Sequence, residues 1–267
     1  MISCIIPTRD RCNLLKRAID SVIDQDSDEI EIVVVDDGSI DNTFELVKRA
    51  YPFVKIVKTE GLGPGPARNA GVEAASWDKL MFLDSDDEWL PGHANNLSML
   101  IDKGFEVAYG VTRTVDQVNG GEFMIPENVT GGYYDCFYDL SRWCSMVPSS
   151  VAVTRKAFEE AGGFDSHMLG EDWAFFLKVS NKFPFAFTRR VITIRHLHEG
   201  SLCCKNEIYK KILNTLEIIR EVLASIERFD SNNFEFIDRA KQIVIKEGKQ
   251  WKTFQEFYVA LRNQGMV

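Results

Sequence analysis

Leu80-Met81-Phe82-Leu83-Asp84-Ser85-Asp86-Asp87-Glu88-Trp89 is an apolar run that ends abruptly in acid. Four consecutive apolar residues fit a strand buried on both faces, the pattern of a sheet covered by helices. The carboxylates at its tip repel one another, so holding them there calls for a compensating cation or well-placed donors. Oxygen ligands of this kind suit magnesium or manganese, ions that commonly travel with phosphates. An acidic, solvated turn capping the next helix is the alternative reading of the same residues.

The sequence before this run repeats a strand-helix alternation. Ile2–Ile6 reads as a strand, followed by Leu14, Leu15, Ala18, Ile19, Val22 and Ile23 at helical spacing. Ile30–Val35 is a second strand, and Asp41 or Ser39 caps a helix carrying Phe44, Val47 and Ala50. Val54–Val57, a helix over Ala67–Ala75 and Lys79–Leu83 complete a β-α-β-α-β-α-β order, which predicts an α/β, Rossmann-like, mostly parallel sheet flanked by helices. After Leu100 the rhythm loosens: Phe105–Tyr109 and Val151–Val153 read as strands, and Gly120, Gly121, Gly131 and Gly132 as turns. From Lys205 the character becomes helical. Ile208, Ile212, Leu216, Ile219, Leu223 and Ile226 form one stripe, with further helices around Phe236–Ile245 and Trp251–Leu261. The chain therefore divides into a body over 1–204 and a C-terminal helical extension over 205–267, whose stripe serves as core, dimer surface or membrane contact.

Bulk composition excludes several classes. With 267 residues, 45% hydrophobic and 27% charged, the chain can bury a substantial core. A net charge of −9 argues against nucleic-acid binding. No apolar run reaches the ~18–20 residues that span a bilayer, and Ile2–Ile6, closed by Pro7, is too short for a secretory signal. The six cysteines show no CxxC pair or zinc spacing, and Cys4 falls in a strand pattern that favours a reduced thiol. These features together predict a cytoplasmic protein, with peripheral contact at the inner membrane face as a variant. Adjacent Cys203 and Cys204 are a candidate redox pair.

In an open parallel sheet, ligands gather beyond the carboxyl ends of the strands. Pro7-Thr8-Arg9-Asp10, Asp36-Asp37-Gly38-Ser39 and Asp84-Ser85-Asp86-Asp87 all fall at such ends. Any one of them fits a turn or cap; three on one edge point to a site.

The segments CIIPTRDR, VVVDDGSIDNT, GPARNAGVEAA, FLDSDDEWLP, GGFD and GEDW resemble, in order, the successive motifs of family 2 glycosyltransferases, over about residues 2–201. The resemblance implies a GT-A fold with a mixed sheet. It also implies a nucleotide-sugar donor (UDP-, dTDP- or GDP-sugar), Mn2+ or Mg2+, and inverting transfer to a glycan or lipid-linked acceptor hydroxyl. By the same resemblance Pro7, Thr8 and Arg9 line the donor, and Asp37 reads the base. Arg68 lies near the nucleotide, Asp84 and Ser85 face ribose and sugar, and Asp86 binds the metal. Asp172 matches the base that deprotonates the acceptor, with Glu171 as neighbouring candidate and Trp173 as floor of the acceptor site. His198 resembles a late metal or diphosphate ligand. Three departures stand out: Asp10 where the family commonly has Asn, Arg9 where an aromatic often stacks, and Ala174 and Lys178 where many members have Asp and Arg. Two further readings compete: a non-catalytic nucleotide-sugar-binding subunit, and a sugar nucleotidyltransferase, for which the first loop lacks a glycine-rich cradle.

Overall fold

The alternating side chains of each early strand are divided between two apolar layers, and that division organises the molecule. The computed structural model describes residues 1–25, 29–127, 132–166, 169–204, 207–226, 228 and 231–267; the turn expected at Gly131 and the boundary residue Lys205 lie outside them. The first half contains β1 (Ile2–Thr8), α1 (Cys12–Ile23), β2 (Ile30–Asp37), α2 (Thr43–Ala50), β3 (Lys55–Thr59), α3 (Pro64–Ala74) and β4 (Lys79–Phe82). Then come β5 (Glu88–Trp89), α4 (His93–Asp102), β6 (Val107–Asp116), β7 (Glu122–Ile125), β8 (Gly132–Tyr134) and α5 (Phe137–Leu140). The rest is β9 (Val151–Thr154), α6 (Arg155–Glu160), α7 (Glu171–Ser180), β10 (Phe185–Leu197), α8 (Ile208–Ala224), α9 (Ser231–Glu247) and α10 (Phe254–Asn263).

One sheet runs in the order β3-β2-β1-β4-β9-β6-β10-β5, with β7 beside β6 and β8 beside β10. The first four strands are parallel, as the alternation predicts, and β6 and β10 are parallel to each other. Antiparallel β9 joins these two blocks, which makes the sheet mixed. Ile5, Val33, Val35, Leu80 and Phe82 face one layer; Cys4, Ile6, Ile32, Val34 and Met81 face the other, the period-two segregation of a strand. α1, α2 and α4 cover the second layer, while α3, α7 and the C-terminal helices cover the first. α3 comes very close to the sheet at Gly71, where a Cβ would lie 2.3 Å from Ile5 Cγ2 and 3.1 Å from Val35 Cγ2.

Two expectations change. β10 was not anticipated: Thr188, Arg189 and Arg190 interrupt its apolar pattern, and its pairing with β6 shifts register between Thr188 and Thr193. The stripe Ile208, Ile212, Leu216, Ile219, Leu223 and Ile226 is buried in the same apolar cluster as Phe137, Phe175 and Phe176. This face is therefore core, and it is not available as a dimer surface or membrane contact. No helix among the described residues is long and apolar enough to cross a membrane, and all six cysteines are free.

Candidate active site

The carboxyl ends of β1, β2 and β4 open onto a cleft of about 620 Å3, and the start of α7 and the end of β10 close it from the other side. Pro7, Thr8, Arg9, Asp37, Arg68, Asp84, Ser85, Asp86, Glu171, Asp172 and His198 all line it, so the residues proposed from separate motifs share one cavity. Trp173 does not line it.

The acids that open the sequence argument each have a different partner. Asp84 takes Arg68 Nη2 at 2.6 Å. Asp86 Oδ2 takes Arg11 Nη1 at 2.8 Å and lies 3.1 Å from His198 Nε2. Asp87 turns inward, accepting from Ser149 Oγ (2.6 Å) and the backbone N–H of His196 (3.2 Å). Glu88 lies 2.6 Å from His196 Nε2 and 3.3 Å from Arg17 Nε. Much of the compensation expected from a metal is thus supplied by the chain's own arginines and histidines. The effect on titration differs accordingly. Burial pushes Asp87 well above the usual carboxylate range, reinforced by the charges of Asp86 and Asp84. Burial acts the same way on Asp86, but the His198 hydrogen bond and Arg11 outweigh it and hold that carboxyl below its ordinary value.

Asp37 organises the opposite wall. Its Oδ1 accepts from Thr59 Oγ1 (2.6 Å) and the Leu62 N–H (2.9 Å), and its Oδ2 from the Gly63 N–H (2.8 Å). One lone pair on Oδ2 is left for a ligand donor. The turn after β2 is closed by Asp36, whose Oδ1 accepts the Ser39 N–H at 2.9 Å. Asp10 sits at φ 52°, a left-handed conformation that Asn and Asp tolerate, which explains why either serves there. Its Oδ1 accepts the Ile40 N–H at 2.7 Å and ties the first two loops together. Arg9 is half-exposed at the rim. Thr8 Oγ1 is buried without a hydrogen-bond partner among the described residues, a donor group on the cleft lining.

Arg68 bridges Asp84 and Glu171, reaching the latter with Nη1 at 2.8 Å. It is buried over the Phe164 ring and holds the cleft wall together through these two carboxylates. Glu171 lines the cleft, is buried and accepts Arg68, and burial with the Asp172 charge beside it pushes its pKa up to about 7. Asp172 is aimed differently, as their helical offset predicts. Gly170, at φ 84°, starts α7 with its Cα against Thr215 of α8, and Asp172 follows on the cleft side, accepting the Trp173 N–H at 2.7 Å. Burial raises its pKa, partly offset by Arg68. Trp173 is buried, its Nε1 donating to the Leu140 carbonyl at 2.6 Å and its ring 6.1 Å from Trp143, and it lines a small cavity beside Asp172 rather than the main cleft. The departures at Ala174 and Lys178 are likewise structural, since Ala174 is buried and Lys178 Nζ binds both oxygens of Asp165 at 2.7 Å.

Three cations in or beside the cleft escaped the sequence reading. Arg11 pairs with Asp86, Arg17 Nη2 donates to the Asp86 carbonyl at 2.7 Å, and Arg195 joins Asp172 in the cleft wall with Nη2 3.2 Å from Cys203 Sγ. Arg11 closes the CIIPTRDR segment and Arg195 adjoins His196, which were the available signals; Arg17 had none.

Asp86 and His198 fit a divalent ion. Neighbouring ligands at ~2.1 Å from an octahedral ion lie ~3 Å apart, the spacing of Asp86 Oδ2 and His198 Nε2. No group of three or more protein ligands exists among the described residues, so a diphosphate and water would complete the shell.

The comparisons bear on family and fold. Residues 3–162 match the model of glycosyl transferase family 2. The chain is 32% identical over 176 residues to an uncharacterised glycosyltransferase of Nostoc, covering 61% of this chain and 54% of that one. It spans 54% of that relative and 26% of an uncharacterised glycosyltransferase of Rickettsia bellii, to which it is 25% identical over 186 residues. The fold is shared with S. aureus TarS 1–349 in complex with UDP-GlcNAc (TM-score 0.70, 18% identity, 91% of this chain and 72% of that one). It is also shared with the mannosyltransferase PcManGT of Pyrobaculum calidifontis in complex with GDP-Man and Mn2+ (TM-score 0.59, 18% identity, 99% and 74%).

Proposed function

The chain belongs to glycosyl transferase family 2, and on that premise we propose that it transfers a sugar, with inversion, from a nucleotide-diphosphate sugar to an acceptor hydroxyl, with Asp172 as base. The observation that carries this is the meeting of Asp37, Asp86 and Asp172 in one cleft from three separate motifs. Asp172 takes the acceptor's hydroxyl proton as its oxygen bonds to the anomeric carbon; the bond from that carbon to the diphosphate breaks on the opposite face. Arg11, beside Asp86, stabilises the departing negative charge. Asp86 and His198 would hold a divalent ion, which when bound neutralises the leaving diphosphate.

The donor is a UDP-, dTDP- or GDP-sugar. Neighbours of this fold bind UDP-GlcNAc in one case and GDP-Man with Mn2+ in the other, which supports a diphosphate-sugar donor and a divalent cofactor here. The free lone pair of Asp37 is suited to one base N–H. The test is Asp172→Asn assayed against a donor and acceptor panel: transfer is lost while nucleoside diphosphate still raises the melting temperature. Retained turnover refutes the base; release of pyrophosphate instead of nucleoside diphosphate refutes the reaction class.

A further inference from the structure

The cleft continues beyond Asp172. Leu169, Asp172, Arg195 and Cys203 are common to the cleft and to a chamber of about 130 Å3 behind it. That chamber shares Phe123, Ile125, Trp143 and Gln255 with an outer groove of about 570 Å3. A row of adjoining cavities therefore extends from the proposed base, past Trp143, to α10. Trp143 is half-buried between the chamber and the outer groove, its ring 4.9 Å from Tyr258 and 5.9 Å from Phe257, both on α10. The groove beyond it is mixed, its apolar side chains interrupted by Gln255, Arg142, Asp139 and the Arg262–Glu127 ion pair at 2.7 Å.

Aromatic faces beside hydrogen-bonding side chains complement a sugar chain, whose ring C–H faces stack while its hydroxyls bond laterally. A polyprenyl tail needs an unbroken apolar wall, and burying these charged side chains against one would be costly. The outer groove lies within the ~300–1,000 Å3 of ordinary ligand sites. We propose that this row of cavities seats the acceptor as an oligosaccharide, its terminal hydroxyl at Asp172 and its preceding units along Trp143 and α10. The C-terminal helices thereby read acceptor length. This rests on the transferase reading above.

The full chain with UDP or GDP and Mn2+ is applied to an array of defined mono- to hexasaccharides, and thermal shift with the same nucleotides is run in parallel. Retention is expected to rise about tenfold from mono- to trisaccharides of one series, a gain of about 1.4 kcal/mol. Trp143→Ala removes this gain. Gln255→Arg, which fills space at the wall shared by chamber and groove from the half-buried start of α10, also removes it while leaving the nucleotide shift intact. A nucleotide shift with no oligosaccharide retained, with equal retention at every length, or with binding only to vesicles containing polyprenyl phosphate overturns the groove and leaves the transferase reading standing. Loss of every nucleotide shift in the wild type brings down both.

Discussion

Replacing Arg68 with Gln tests the claim that the cleft wall is held by a buried charge bridge. The guanidinium is 3% exposed and makes contacts of 2.6 Å to Asp84 and 2.8 Å to Glu171. At an effective dielectric of about 20, unit charges about 4 Å apart attract by about 4 kcal/mol, so two such pairs offset much of the desolvation of three charges. Asp84 is about one-third open and solvent screens its share, whereas Glu171 is nearly closed off. Removing the cation leaves Glu171 buried beside Asp172 without a counter-charge. Breaking a buried pair in this way costs about 3–5 kcal/mol, which at about 2–4 °C per kcal/mol lowers the melting temperature by about 6–20 °C. The pH dependence adds a sign. Burial, with Asp172 beside it, already raises the Glu171 pKa against the pull of Arg68, and in the variant it rises further above the unfolded value of about 4.3. The native state then holds the extra proton, so stability falls as pH rises through that window, and the deficit is larger at about pH 8 than at about pH 5. Urea melts of wild type, Arg68→Gln and the double variant Arg68→Gln/Glu171→Gln measure this. A deficit below about 1 kcal/mol, one independent of pH, or no recovery in the double variant refutes the bridge.

Because burial raises Asp172 above the ordinary carboxylate range, kcat/KM for transfer should fall on the acid side with a midpoint above about 3.9; a rate flat down to that pH excludes Asp172 as base. Gly71→Ala places a methyl against Ile5 and Val35 and should cost about 1–3 kcal/mol by overpacking, read by calorimetry; a neutral result shows that α3 can lift off the sheet. Deleting 205–267 uncovers Phe137, Phe175 and Phe176, which share a cluster with the C-terminal helices, so the 1–204 fragment should aggregate on gel filtration. A monodisperse, folded fragment would mark 1–204 as an independent domain.

The legible part of this protein was local. Apolar runs of period two and helical stripes placed the first four strands, and with them the strand ends where Thr8, Asp37 and Asp86 lie, because burial pattern and turn chemistry are written within a dozen residues. β10 was hidden because its arginines and threonine break the apolar pattern at a bulge, where pairing with β6 overrides local preference. Sequence motifs also singled out Glu171 and Asp172 together, yet could not say which was free.

That division was decided by tertiary structure. Arg68 meets Asp84 sixteen positions away and Glu171 one hundred and three away, and His198 meets Asp86 across one hundred and twelve. The strand order brings these residues together, and a charge has no periodicity that announces its partner. Sequence alone established where on the sheet the acids gather; the crossing of β10 and α7 over that edge determined which are neutralised by the protein and which remain for a ligand.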